Sequence, residues 1–282
     1  MDFSVQTTHP LVSDAVNLSS IEDLILHLIH RKAYEYAASE FAGLSVLDWG
    51  CNDGYGLEIL QDSASELAGL DSSKQAVSVA QSRLPELANS IRSYDGGVAP
   101  FDRSSFDVVT SFQVIEHVSD YSAYFSGIAH VLKPAGSVMF TTPNREIRLK
   151  PGMKPWNQYH ITEFSASELR NLLCGYYKRV QIFGLHSDPE IEEIEKRRCL
   201  RARNAAIRKP SQWERTKSRA RKAVRFAIPQ PFVERYRRWH RNVAPEVERR
   251  ILENASTARF QYTEVGLEHA VDLMAICHDP TN

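Results

Sequence analysis

The stretch Val46-Leu47-Asp48-Trp49-Gly50-Cys51-Asn52-Asp53-Gly54-Tyr55-Gly56 constrains this chain more than any other. The apolar run over residues 44–49 reads as a buried parallel strand. It gives way to small, φ-permissive residues, and helical spacing resumes over residues 57–60. That order is a strand, a tight turn and a helix N-terminus. Glycines in such a turn let a ligand reach the backbone and leave the first amides of the helix free to donate. Turns of this kind also serve phosphates and dinucleotides, so the turn alone is a weak signal. Asp48 narrows it: a carboxylate at the strand end repels a pyrophosphate but holds an ammonium group, and no Gly-Lys-Ser/Thr follows to make a phosphate loop. A cationic ligand is favoured over a phosphorylated one.

With those residues in place, the stretch resembles motif I of class I S-adenosylmethionine (SAM) methyltransferases, Asp-x-Gly-x-Gly-x-Gly, which stands here as Asp48, Gly50, Asn52 and Gly54. Asn52 departs from the usual glycine, yet Asn is the side chain that best tolerates positive φ. Upstream, residues 19–29 have a plausible Ser19-Ser20 N-cap and helical apolar spacing. The continuation His30-Arg31-Lys32-Ala33-Tyr34-Glu35-Tyr36-Ala37-Ala38 is similar to the Arg-Tyr-x-x-Ala entry helix of many such enzymes. The resemblance implies Arg31 or Tyr34 near the cofactor carboxylate.

Downstream, Glu66-Leu67-Ala68-Gly69-Leu70-Asp71 reads as a second strand ending in an acid. Asp71 lies 21 residues past Gly50, about the spacing at which a second-strand acid meets ribose hydroxyls. Residues 90–95 read as a third strand, and the resemblance expects Asp95, beside Gly96, to accept from the adenine amino group. Residues 106–112 make a fourth strand ending at Phe112, followed at once by Gln113-Val114-Ile115-Glu116-His117-Val118. In methyltransferases of this type that segment sits over the methyl donor, which places Phe112 and Gln113 at the cofactor. A helix over residues 121–132, a fifth strand over 137–142 and a sixth over 179–184 complete the alternation, with a capped helix over 165–173 between the last two. Apolar residues 270–277 suit a final antiparallel strand. The expectation is an α/β fold: a doubly wound, Rossmann-like, seven-stranded sheet with its ligand at the carboxyl ends of the parallel strands. Residues 1–185 and 263–282 would form the SAM domain, and residues 186–262 a helical insertion before the last strand.

Methyl transfer from SAM asks the protein to align an acceptor atom with an already activated methyl and to exclude water. A hydroxyl acceptor additionally needs its proton removed. His117 and His160 stand on motif-bearing loops and are candidate general bases near neutral pH, with Glu116 beside them. Trp156-Asn157-Gln158-Tyr159-His160-Ile161-Thr162-Glu163-Phe164 resembles the His-x-x-Glu-Phe segment of glycan and quinone O-methyltransferases. Gln113-x-x-Glu116-His117 with His160 also resembles the Glu-x-x-Glu-His plus His magnesium site of small-RNA and ubiquinone-pathway O-methyltransferases. Gln113 replaces one carboxylate of that pattern with a neutral amide, which weakens a magnesium site. The leading expectation is therefore histidines acting without metal, with Glu116, His117 and His160 as the alternative metal ligands. An RNA methyltransferase, a small-molecule (quinone or catechol) methyltransferase and a SAM-binding protein without catalysis are the competing readings.

Composition enters through charge. The 282 residues carry a formal net charge of -1, but residues 196–250 hold 19 Lys+Arg against 4 Glu while the remainder is acidic. A basic, helix-forming insertion interleaved with aromatics is expected to dock an anionic acceptor, a sugar-like or other polyhydroxylated molecule, or an anionic membrane surface; nucleic acid ranks below these. The four cysteines are scattered, which argues for ordinary thiols in a reducing compartment. No secretory pattern opens the chain, so a cytoplasmic location is expected.

Overall fold

The computed structural model describes residues 20–207, 251 and 254–281. Residues 208–250, most of the insertion expected to be helical, lie outside the described residues. The described chain forms one mixed sheet of eight strands in the order β3-β2-β1-β4-β5-β8-β6-β7. β1 (Ser45–Trp49), β2 (Glu66–Asp71), β3 (Ile91–Ser93), β4 (Phe106–Phe112) and β5 (Leu132–Pro143) pair in parallel, whereas β8 (Asp272–Pro280) lies antiparallel between β5 and β6 (Tyr177–Ser187), and β7 (Phe260–Thr263) pairs antiparallel with β6.

The strand count is a correction to the expected seven. β6 pairs with β8 along one edge, and residues 184–187 of its other edge pair with β7, Gly184 opposite Thr263 and Ser187 opposite Phe260. Phe260 is buried there among Ile25, Leu185, Ile191 and Val271. Phe260, Gln261 and Tyr262, which the sequence reading placed in the insertion, therefore belong to the sheet. The third strand also corrects: it stops at Ser93, two residues short of Asp95.

Helices cover both faces. α1 (Ile21–Glu40), α2 (Tyr55–Leu60) and α3 (Lys74–Arg83) lie on one, and α4 (Tyr121–Val131) and α6 (Ala166–Leu173) on the other. The pleat explains the split, because successive side chains of a strand point to opposite faces. Val46, Val108 and Met139 thus pack with Tyr34, Leu57 and Ala80, while Leu47, Val109 and Phe140 pack with Phe125, Ile128 and Leu169. Short α5 (Arg145–Arg148) follows β5, and α7 (Pro189–Ile207) follows β6 and packs Ile191 and Ile194 against Ile21 and Ile25. Helix starts follow their caps: Ser20, Ser73 and Asp120 accept from amides of the first turn, and Ser165 with Glu168 forms a reciprocal capping box that ties down the helix after the His160 loop.

Candidate active site at the carboxyl ends of the strands

The turn after β1 is built by its small residues. Gly50, Asn52 and Gly54 all take positive φ (98°, 48° and 84°), and the Gly50 and Cys51 amides donate to Leu70 O at the end of β2. A Cβ on Gly50 would stand 2.3 Å from Val114 Cγ2, so this glycine is needed for the approach of the β4 exit as much as for its dihedral. Gly56, at the start of α2, is filled in the same way by the ring of Tyr34.

Asp48 is fully buried. Tyr34 Oη donates to its Oδ2 (3.0 Å) and Thr110 Oγ1 to its Oδ1 (2.9 Å), and burial outweighs both bonds to push its carboxyl up to about 7. It therefore anchors the entry helix and β4 beneath the turn. Asp71 uses both oxygens on backbone, accepting from the Asn52 amide (2.9 Å) and the Ser73 amide (2.8 Å). A carboxylate offers about four lone-pair directions, so it still has acceptors for two hydroxyls. Arg31 stands on the outer side of α1, paired with Glu35 and half exposed. Asp95 is exposed in the loop beyond β3, where its Oδ1 accepts from the Gly97 amide and Gly96 takes a φ of 90°. Phe112 closes the site from β4, its ring edge-on to Tyr34 at 4.8 Å. Gln113 enters the left-handed region (φ 57°), and its side-chain nitrogen donates to Asp272 (3.1 and 3.2 Å) and Thr141 (3.3 Å).

Glu116, His117 and His160 come together. The peptide of the loop at 161–162 docks on Glu116, with the Ile161 and Thr162 amides donating to Glu116 O (2.8 and 3.2 Å), and this brings the two imidazoles to 4.8 Å, perpendicular to one another. One donor atom from each of the three residues lies within 4.8 Å of the other two. His117 Nδ1 lies 2.8 Å from Tyr159 O, and His160 Nδ1 lies 2.7 Å from Glu163 Oε1. Both partners only accept, so each Nδ1 carries hydrogen, and in the neutral ring Nε2 holds the lone pair. Glu163 is itself clamped by Arg148 through two bonds of 2.9 Å, and Arg148 stacks on Trp156 at 4.1 Å. Burial opposes the Glu163 charge, but His160 and Arg148 overcome it and hold the carboxyl below the usual range.

Glu116 is buried with Thr142 Oγ1 donating to its Oε2 (3.1 Å); its Oε1 is buried with no hydrogen-bond partner among the described residues, and burial lifts the carboxyl to about 8. An orphaned buried acid oxygen beside two imidazoles of fixed tautomer is what a divalent cation would complete, so the residues fit a metal.

Asp272 and Arg148 were missed in the sequence. Asp272 did carry a signal, an acid inside the apolar run Val271-Asp272-Leu273-Met274, the same signature that marked Asp48. Arg148 carried none, because its partner Glu163 lies 15 residues away across a loop.

An eight-stranded doubly wound sheet with a Gly-Asn-Gly turn after β1, an acid at the end of β2 and a Glu-His exit from β4 defines a class I, SAM-dependent methyltransferase. The chain belongs to that family: residues 21–176 match the methyltransferase domain model. It is 38% identical over 145 residues to a protein of Mycolicibacterium smegmatis, 51% of this chain and 55% of the relative, and 31% identical over 200 residues to one of Mycobacterium tuberculosis, 69% of this chain and 72% of the relative. Both bear the name "Probable S-adenosylmethionine-dependent methyltransferase". A ubiquinone biosynthesis O-methyltransferase of Aromatoleum aromaticum is 31% identical over 134 residues, 46% of this chain and 55% of the relative. The chain thus spans just over half the length of two of these three relatives. Among the described residues no helix is long and apolar enough to cross a membrane.

Proposed function

We propose that this methyltransferase acts on oxygen, and that its acceptor is a sugar-like or other polyhydroxylated, anionic molecule. The observation that carries the choice of atom is the convergence of Glu116, His117 and His160 at the exit of β4. SAM supplies a methyl already activated on sulfonium. A hydroxyl is a poor nucleophile until its proton is removed or weakened, whereas a ring nitrogen or a thiolate needs that far less.

The cluster meets that need with its own atoms. Tyr159 O and Glu163 hold both rings with Nε2 as the basic nitrogen, so either ring can take the hydroxyl proton as the oxygen bonds to the methyl carbon and the carbon–sulfur bond breaks. The same three side chains would hold a divalent cation, which when bound lowers the pKa of a hydroxyl. Burial of Glu116 and His160 keeps water from competing for the methyl group.

The charge of the acceptor rests on the excess of Lys and Arg over residues 196–250, which favours a phosphate-bearing molecule and in a salt-dependent way. The likeness to a ubiquinone biosynthesis O-methyltransferase favours a second acceptor, a hydroxyl of a quinone-type small molecule. A tritiated-SAM screen over nucleotide sugars, lipid-linked glycans, catechols and RNA, with and without chelator and at two salt concentrations, tests the reading. Transfer to a polyhydroxylated anion, reduced by salt, supports it. Transfer only to an amine, indifferent to replacement of His117 or His160 by Ala, overturns it.

A further inference from the structure

Asp272 is an acid where a central strand favours an apolar side chain. It opens β8, is 3% exposed, and lies across from Pro143 of β5 and Leu185 of β6. Burying a carboxyl is costly unless a partner compensates it. Among the described residues the side chain that donates to Asp272 is Gln113, whose nitrogen reaches both oxygens at 3.2 and 3.1 Å. To do so it passes β5, where the same nitrogen donates to Thr141 Oγ1. An apolar residue would suit the strand better, so the acid is kept for its hold on Gln113.

Gln113 is a residue whose backbone needs holding. It follows Phe112, the last residue of β4, and its φ of 57° is one that a side chain with a Cβ adopts at a cost. The place is also the one a ligand uses. Chain order runs outward from β1 through β2 to β3 on one side and from β4 to β5 on the other, and a doubly wound sheet binds in the crevice at that switch. The neighbouring Val114 packs directly on Gly50 of the turn after β1. One backbone bond restrains Gln113, from its amide to Thr141 O (2.9 Å). The next donor of the parallel ladder, which would engage the Gln113 carbonyl, falls at Pro143, and proline has no N–H. The further restraint on this backbone comes through the side chain, from Asp272.

We propose that Asp272 is a positioning residue for the cofactor: by holding the Gln113 amide it keeps the exit of β4 in its left-handed conformation and so keeps the wall of the SAM crevice opposite the glycine turn in place. The role concerns the cofactor and is independent of the acceptor.

Calorimetry of the full chain with S-adenosylhomocysteine tests it, with thermal melts of each ligand-free variant to report folding. Asp272→Ala should weaken binding by about tenfold or more, because the Gln113 amide loses its acceptor. Asp272→Asn, which keeps an acceptor oxygen, should recover most of that loss. Gln113→Ala should bind about fivefold or more weakly than Gln113→Gly, since both lack the amide and only glycine takes the positive φ without strain. In the Gln113→Gly background Asp272→Ala should cost less than about threefold further. A folded Asp272→Ala variant with wild-type affinity overturns the role, even if its melting temperature falls. A loss from Asp272→Ala as large in the Gln113→Gly background as in the wild type also overturns it, because Asp272 would then act by another route. Equal affinities of Gln113→Ala and Gln113→Gly do the same, and that comparison stands whether or not Asp272→Ala folds.

Discussion

Tyr34 donates its phenolic hydrogen to the carboxylate of Asp48 across 3.0 Å, and both side chains are buried. The bond ties the entry helix to the strand that carries the glycine turn, so this end of the fold depends on an acid held almost wholly away from water. Its carboxyl is pushed up to about 7 by burial, with Thr110 and Tyr34 opposing and Asp71 adding to the rise.

That gives the cofactor-free protein a signed pH dependence. A buried acid with a raised pKa binds more protons folded than unfolded, so its ionisation opposes folding as pH rises from about 4, and the penalty is complete above about 7. Thermal melts between pH 5 and pH 8 should show a decline in stability that Asp48→Asn flattens, with a contribution on the order of 4 kcal/mol at the alkaline end. An identical slope in both proteins would place the titration elsewhere.

Gly56→Ala should destabilise the chain and loosen the site together. The added Cβ would lie 2.1 to 2.2 Å from the Tyr34 ring carbons, which cannot retreat without breaking the bond to Asp48. Overpacking of this kind costs about 1 to 3 kcal/mol. Denaturant unfolding checks it, and a wild-type midpoint would show that the ring is free to move.

Asp71→Ala should weaken SAM binding by about tenfold or more, since a lost hydrogen bond to a charged group costs roughly 1.5 to 3 kcal/mol. The carboxylate holds the Asn52 and Ser73 amides, so its loss also releases the turn. Calorimetry with SAM and with S-adenosylhomocysteine measures this, and unchanged affinities would remove Asp71 from the cofactor site.

His160→Ala should lower kcat by about a hundredfold to ten-thousandfold while leaving the KM for SAM within a few-fold. Replacement of Glu163 by Gln should do the same more weakly, because Glu163 acts on the ring through Nδ1. Steady-state kinetics separate the two, and a rise in the KM for SAM with constant kcat would move His160 from the chemistry to cofactor binding.

Much of the sheet was legible in the order of residues because its parallel strands are short apolar runs bounded by turn chemistry. β2 and β4 lie where the sequence put them, and Asn52 takes the positive φ its type allows. The gathering of Glu116, His117 and His160 was legible only as a likeness of motifs, since residues 43 apart meet through the docking of one loop peptide on another. Local pattern could not show β7 either, a four-residue strand that pairs with the edge of β6 opposite β8.

The same limit separates Gln113 from Asp272. Sequence alone determined the glycine turn, the alternation of strand and helix, and hence the class of fold, because these follow from backbone preference and from the period of apolar residues. Tertiary structure alone decided that Asp48 would be sealed beneath Tyr34 and Thr110, that Arg148 would clamp Glu163 behind His160, and that Gln113 would turn to an acid 159 residues away. Those choices are set by which side chains are desolvated together, and desolvation is a property of the packed molecule and not of any segment of it.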